Sequence, residues 1–361
     1  MARPTAHRRD RTRRGARVTS GNMAASVLVA AGQIELQERP IPTPAPDEVL
    51  VRVRAVGVCG SDVHFYHEGR LGDWVVREPL VLGHESGGTI VDVGSGVDAG
   101  RIGERVSIEP QHPSHGSPET LRGDYNLDPH MRFYAVPGTD GAFQEYVTIQ
   151  SHFAHPIPDT VSDHAAALME PLSVAIATAR KARFAPGMRV LITGAGPVGI
   201  ATAQVARAYG VSDVIVSDVA AARRETALRF GATEVFDPAA TAPGDLPETD
   251  AFVDASGAAP AVRSGISTLR SGGRAVLVGM GAAEISLPVT TIQNRELVVT
   301  GVFRYANTWP TAVALAARGQ VDLDAMVTGT FALDEVQAAL ESTHEPEVMK
   351  SIVEPFRRCG R

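Results

Sequence analysis

Four residues able to bind a transition metal lie in three separate stretches of the chain. Cys59 sits in Val58-Cys59-Gly60-Ser61-Asp62-Val63-His64, His84 and Glu85 follow twenty-five residues later in Gly83-His84-Glu85, and Glu170 stands in Met169-Glu170-Pro171. Thiolate, imidazole and carboxylate together are the donor set of a tetrahedral zinc centre with one position left for water or substrate. Taken singly, each has an ordinary explanation. A lone cysteine is more often an inert buried thiol, and His84-Glu85 alone is equally a turn with a surface ion pair. The spacing permits convergence without requiring it.

A second chemical signal is denser. Val190-Leu191-Ile192 is a short apolar run of the kind buried in a parallel strand, and Gly194-Ala195-Gly196-Pro197-Val198-Gly199 follows at once. Ile200 to Tyr209 then reads as an alanine-rich helix closed by Gly210, and a second strand, Asp213 to Ser217, ends on Asp218. A bare G-x-G-x-x-G is weak. Strand, fingerprint, helix, strand and terminal acid within about 30 residues form the dinucleotide-binding unit. In it Gly194 permits the tight turn, Gly196 clears a Cβ from the path of a pyrophosphate, and Gly199 lets the helix pack on the strand. The free N–H groups of the helix face the phosphates. Asp218 would accept hydrogen bonds from ribose hydroxyls and repel a 2′-phosphate, which favours NAD over NADP.

The elements that must position these groups are partly legible. Ala24 to Leu36 suits a strand pair, Pro40 to Pro46 is a proline-rich turn, and Glu48 to Val58 alternates as a strand with one wet face. Leu80 to Val93 and Arg105 to Glu109 add strands, so Ala24 to about His155 reads as β-rich. Gln111 to Gly138 reads as a long, turn-rich loop. Ser162 to Ala182 is helical, capped by Ser162 or Asp163, with Pro171 beginning or kinking a helix. Strands at Glu234–Phe236, Ala251–Ala255 and Arg274–Gly279 alternate with helices near Arg223–Phe230 and Pro260–Leu269, which demands a parallel sheet covered on both faces. Further helices are expected near Pro310–Gly319 and Asp334–Glu341.

With 361 residues, 44% hydrophobic and 21% charged, the chain can fill two globular cores. The net charge of −7 hides an asymmetry, because residues 1–22 hold seven arginines against Asp10, leaving −13 for the remainder. An acidic body argues against a nucleic-acid partner. Arg13-Arg14 lacks the apolar segment that an export signal needs, so residues 1–22 are expected to be a disordered tail, or to precede a true start at Met23. No apolar run of about 18 residues occurs, so no membrane span is expected. Cys59 and Cys359 are the only cysteines; they exclude a disulfide framework and point to a reducing, cytoplasmic setting.

The string from Val56 to Val93, VGVCGSDVHFYHEGRLGDWVVREPLVLGHESGGTIVDV, closely resembles the zinc-dependent medium-chain dehydrogenase/reductases, and within them the polyol (sorbitol, xylitol, iditol) dehydrogenase branch. Glu170-Pro171-Leu172-Ser173-Val174 and Gly301-Val302-Phe303-Arg304-Tyr305-Ala306-Asn307-Thr308-Trp309-Pro310 resemble the same branch, and the likeness runs from about Ala24 to Pro355. It implies an α/β protein with a GroES-like catalytic domain made from both ends of the chain (residues 23–171 and 301–361) around a doubly wound Rossmann domain (172–300). Carried over by motif, Cys59, His84 and Glu85 become zinc ligands, and Glu170 a fourth ligand or the holder of the zinc-bound water. Ser61 and His64 resemble the proton-relay pair. Arg304 and Tyr305 would lie between nicotinamide and substrate, while Val198, Asp218, Arg223, Val278-Gly279-Met280 and Val302-Phe303-Arg304 would line NAD. A homo-oligomer, expected to be a tetramer, is implied by the branch alone.

Some residues depart from that pattern. No cysteine lies between Cys59 and Cys359, so the second, structural zinc of many relatives is expected to be absent; His112, His115 and His130 read as part of a solvated loop. Phe65 stands where sorbitol dehydrogenases often carry tyrosine, and Ala306 where cysteine is frequent. The reading is therefore a zinc- and NAD-dependent oxidation of a polyol hydroxyl to a ketose, reversibly. A small-diol (2,3-butanediol type) or threonine dehydrogenase is the alternative, and a non-catalytic nucleotide-binding relative the remotest. Asp218→Ser should narrow the preference for NAD over NADP, measured as the ratio of kcat/KM values; an unaltered ratio would remove Asp218 from the ribose site.

Overall fold

In a computed structural model of the protein, residues 21–357 are described; the arginine-rich stretch lies almost wholly outside them, as does Cys359. The alternating segment Glu48–Gly57 is the centre of a seven-stranded sheet. Its inward residues Val49, Val51, Val53 and Val56 are buried together with Ile90, Val106 and Ile108 from the strands beyond. On one side it pairs antiparallel with Glu85–Val93, followed by Arg105–Ile108 and Ala154–Pro156. Tyr146–Gln150 pairs with its first half. Its last residues meet a strand from the far end of the chain, Lys350–Glu354, with Ile352 opposite Gly57 and Val353 opposite Val56. Val327–Ala332 closes that edge in parallel. Asn22–Ala30, Gln33–Pro40 and Leu80–Val81 form a separate three-stranded sheet.

Between these two contributions lies a six-stranded parallel sheet, ordered Glu234–Phe236, Asp213–Ser217, Arg189–Thr193, Thr249–Asp254, Leu269–Leu277 and Val298–Gly301. Counted along the chain this is the 3-2-1-4-5-6 order of doubly wound dinucleotide-binding sheets, whose ligands sit where the order reverses. Both faces are covered. Val190 and Ile192 point toward the helices Met169–Ala182 and Pro197–Ala208, whereas Leu191 packs with Phe252, Val262 and Ile266 on the opposite side. The α/β fold with a GroES-like unit and a Rossmann unit is therefore present.

Several boundaries differ from the sequence reading. Residues 162–182 form two helices, because Ser162 caps Asp163–Ala167 through the Ala165 N–H (2.9 Å) and Leu168 turns away from helical geometry before Met169–Ala182 starts. Pro171 falls in the first turn of the second helix, where its missing N–H costs nothing. A division after Pro171 would cut that helix, and one after residue 300 would cut Val298–Gly301. The first strand begins at Asn22, one residue before Met23. The stretch 111–138 is not wholly irregular: Gln111–His112 pairs with Arg132–Phe133, and a short helix Pro118–Leu121 lies between. Among the described residues no helix is long and apolar enough to cross a membrane.

Candidate active site

Cys59 caps the helix Gly60–Glu68, and the third residue of that helix, Asp62, organises the site. Asp62 is fully buried; its Oδ2 accepts the Cys59 N–H (3.1 Å), and its Oδ1 accepts the Gly83 N–H (3.0 Å) while lying 3.4 Å from His84 Nδ1. One carboxylate thus joins the two segments that carry the candidate ligands. Glu85 opens its strand against Gly57, where a Cβ would come within 2.1 Å of Glu85 Oε2, so a larger residue there would displace the carboxylate. The outcome is convergence: ligand atoms of Cys59, His84 and Glu85 all lie within 4.8 Å of one another.

The electrostatics fit a cation. Burial alone would lower the His84 pKa, but Asp62 and then Cys59 hold it well above its ordinary value, so the surroundings demand positive charge at this point. Lys350, which sequence reasoning missed, lies beneath. Its buried Nζ donates to both Glu85 carboxylate oxygens and to Val58 O (2.8 Å). Burial opposes its charge, yet Glu85 and Cys59 raise its pKa above the usual lysine value. A carboxylate has about four acceptor sites, so Glu85 can face Lys350 and still offer an oxygen to a metal. Sulfur, imidazole and carboxylate, braced by one ammonium, suit Zn²⁺.

Glu170 stands beside this group without belonging to the three that share the 4.8 Å cluster. Burial pushes its carboxyl up to about 7, with His84 opposing and Glu85 adding to the rise. Tyr305, fully buried nearby, faces Glu170, and burial, with the Glu170 carboxylate adding, holds its hydroxyl well above the usual tyrosine range. Arg304 lies over Phe133 (3.9 Å), Phe303 (4.7 Å) and Trp74 (5.7 Å), and burial lowers its pKa to about 10, which leaves it charged at neutral pH.

A cleft of about 630 Å³ runs from these groups to the parallel sheet. Ser61, His64, Phe65, Trp74 and Glu170 line one part of it, and Gly196, Pro197, Val198, Arg223, Val278, Gly279, Met280, Val302, Phe303 and Arg304 the rest. The fingerprint is at the reversal of strand order: Gly194 adopts φ +91°, and a Cβ on Gly199 would sit 1.9 Å from Gly194 O. At Gly196 a Cβ would meet nothing closer than Arg223 Nη1 at 3.8 Å, so the cradle is open on the cofactor side. Gly194, Gly199, Asp218 and Tyr305 lie behind the lining residues. Asp218 accepts the N–H groups of Ala195 (2.8 Å) and Ala220 (2.9 Å), which ties the second strand's end to the glycine turn.

His112 corrects the sequence reading. His115 and His130 are exposed, but His112 is buried beside Tyr134, and burial, with Arg132 adding, lowers its pKa to about 4. Asp62, Lys350 and Trp74 were the functional neighbours that sequence reasoning passed over. Lys350 did leave a signal, a single charge entering the otherwise uncharged run Ser351-Ile352-Val353.

Comparisons with known proteins agree with this geometry. Residues 45–159 match the family described as "Alcohol dehydrogenase GroES-like domain" and residues 197–318 that described as "Zinc-binding dehydrogenase". The chain is 38% identical over 342 residues to a protein named sorbitol dehydrogenase from Gallus gallus, covering 92% of this chain and 96% of that one. It is 38% identical over 340 residues to a probable D-xylulose reductase A from Aspergillus terreus, covering 91% and 96%. A solved E. coli protein named a short chain alcohol dehydrogenase, complexed with NADH, superposes with TM-score 0.87 at 27% identity, covering 92% and 99%.

Lys350→Met should leave the Glu85 carboxylate buried without its counter-ion and cost about 3–5 kcal/mol in urea denaturation of the metal-free protein. A loss under about 1 kcal/mol would show that Lys350 is not what neutralises Glu85.

Proposed function

This chain belongs to the polyol dehydrogenase branch of the zinc-dependent medium-chain dehydrogenase/reductases, and from that premise we propose that it oxidises a secondary hydroxyl of a sorbitol-, xylitol- or L-iditol-class polyol to the ketose, reversibly, with NAD. The observation that carries the reading is the meeting of Cys59, His84 and Glu85 on the wall of a cleft whose other wall is the dinucleotide loop. When bound, zinc supplies Lewis acidity at the reacting hydroxyl and NAD accepts the hydride.

The chain's own residues do the rest. Cys59, His84 and Glu85 hold the metal, with Asp62 and Lys350 fixing their charge and direction. Ser61 Oγ receives the hydroxyl proton, and His64, three residues further along the same helix, passes it out. His64 is half-exposed and its Nδ1 faces Glu68 Oε1 at 2.9 Å, which leaves Nε2 for the proton. Glu170, lying outside the three-ligand cluster, acts through water or on the substrate. With Arg304 it binds the hydroxyls flanking the reacting carbon, and the buried Tyr305 backs Glu170 from behind the cleft wall. A site built to pair hydroxyls rejects substrates that lack them. The same features favour a polyol over a small diol or threonine.

The setting is cytoplasmic and the assembly a homotetramer in this reading. Support for the assembly comes from the outer strand Val298–Gly301, whose far edge pairs with no other strand among the described residues and suits a second copy. Light scattering should give four chain masses; a monomer would remove the tetramer.

Purified enzyme should turn over xylitol or sorbitol with NAD well ahead of butanediol and threonine, hold about one zinc per chain, and lose activity on chelation. Cys59→Ala should abolish turnover and zinc while NADH fluorescence still reports binding. Equal preference for threonine would overturn the substrate class, and unchanged turnover in Cys59→Ala would overturn the ligand role.

A further inference from the structure

Glu109 follows the strand Arg105–Ile108, is buried to 1% exposure, and has no part in the chemistry above. Its carboxylate takes three side-chain hydrogen bonds. Oε2 faces His155 Nε2 at 2.9 Å, and Oε1 accepts from Tyr125 Oη at 2.7 Å and from Gln111 Nε2 at 3.0 Å. An ionised carboxylate only accepts, so His155 carries its proton on Nε2 and Tyr125 spends its own on Glu109.

Two of the three partners continue to one loop, and the third to the first residue of the helix that follows it, Trp309–Ala317. Tyr125 Oη accepts the backbone N–H of Asn307 at 2.7 Å, Gln111 Nε2 also donates to Tyr305 O at 3.1 Å, and the His155 ring stacks on Trp309 with centroids 5.6 Å apart. The same stretch of chain adds Asn126 Nδ2 to Phe303 O (2.8 Å) and receives Asn307 Nδ2 on Gly123 O (3.0 Å). The loop needs such holding. Arg304 (φ 55°) and Asn307 (φ 56°) both occupy the left-handed region, which asparagine tolerates but arginine keeps only when its surroundings impose it. Packing alone would be served by apolar groups of the same shape, without the desolvation cost of a buried charge. What the carboxylate adds is direction, since each partner is aimed by the oxygen it meets.

We propose that Glu109 is a positioning residue for polyol recognition: through Tyr125 and Gln111 it fixes the backbone at residues 304–307 and so aims Arg304 at the hydroxyls beside the reacting carbon. The proposal rests on the reading that Arg304 contacts those hydroxyls, so its test separates the two. Zinc-loaded full-length Glu109→Gln and Tyr125→Phe are assayed with xylitol and with 2-butanol, a secondary alcohol without flanking hydroxyls. Xylitol kcat/KM should fall on the order of a hundredfold in Glu109→Gln and roughly tenfold in Tyr125→Phe, chiefly through KM. The 2-butanol value, zinc content and NADH affinity should stay within about twofold.

A merely structural role would depress both substrates together, and that parallel fall, or a wild-type ratio in both variants, overturns the proposal. Should Glu109→Gln not fold, Tyr125→Phe, which keeps its ring, decides alone. Arg304→Ala should also collapse the xylitol to 2-butanol ratio. If it does so while Tyr125→Phe leaves the ratio intact, the positioning role falls; if Arg304→Ala leaves it unmoved, the underlying reading falls with it.

Discussion

Buried charge governs this molecule. Asp62, His84, Glu85 and Lys350 are drawn together in the interior beside the partly exposed Cys59, so each must be answered by another. Asp62 answers with two backbone N–H groups and His84, and Glu85 with the lysine below it. Such a cluster tolerates little rearrangement: a Cβ at position 57 would displace the Glu85 carboxylate, and Asp62 fixes where the helix Gly60–Glu68 starts. The metal-binding donors are aimed by this arrangement rather than by their own short segments.

The second level of order is the join between the two units. The helix Met169–Ala182 delivers Glu170 to the charged cluster with its first turn and packs its remaining length with Pro197–Ala208, the helix that follows the glycine fingerprint. The loop at 302–308 does the converse, leaving the last strand of the parallel sheet and being gripped by the stretch 109–126 of the other unit. Cofactor side and substrate side are therefore held in register by two short pieces of chain, each belonging structurally to both.

How much of this could be read in the amino acids depended on range. Local pattern sufficed for the alternating strand at Glu48–Gly57 and for the glycine fingerprint, because a period of two and a strand-turn-helix motif are short-range signals. The helix at Gly60–Glu68 gave no such signal: it is short, weakly amphipathic and opened by a cysteine. Lys350 and Trp74 matter only through residues more than 200 positions away, Glu85 and Phe303, and no window of sequence holds such a pair. The stretch 111–138 looked irregular because its order comes from side chains reaching the 302–308 loop rather than from periodic burial. The burial of His112 likewise comes from residues far from it in its own stretch, since it pairs with Arg132 and packs on Tyr134.

The strand Lys350–Glu354 lies against Glu48–Gly57, which leaves the ribosome some three hundred residues earlier. The parallel sheet is complete once residue 301 has emerged and can fold as a unit during synthesis. The older half of the β-rich unit must wait, its central strand unpaired along one stretch and Glu85 without its ammonium. Closing so long a loop is slow. An unfinished chain therefore presents a nucleotide fold beside donors that Lys350 does not yet brace.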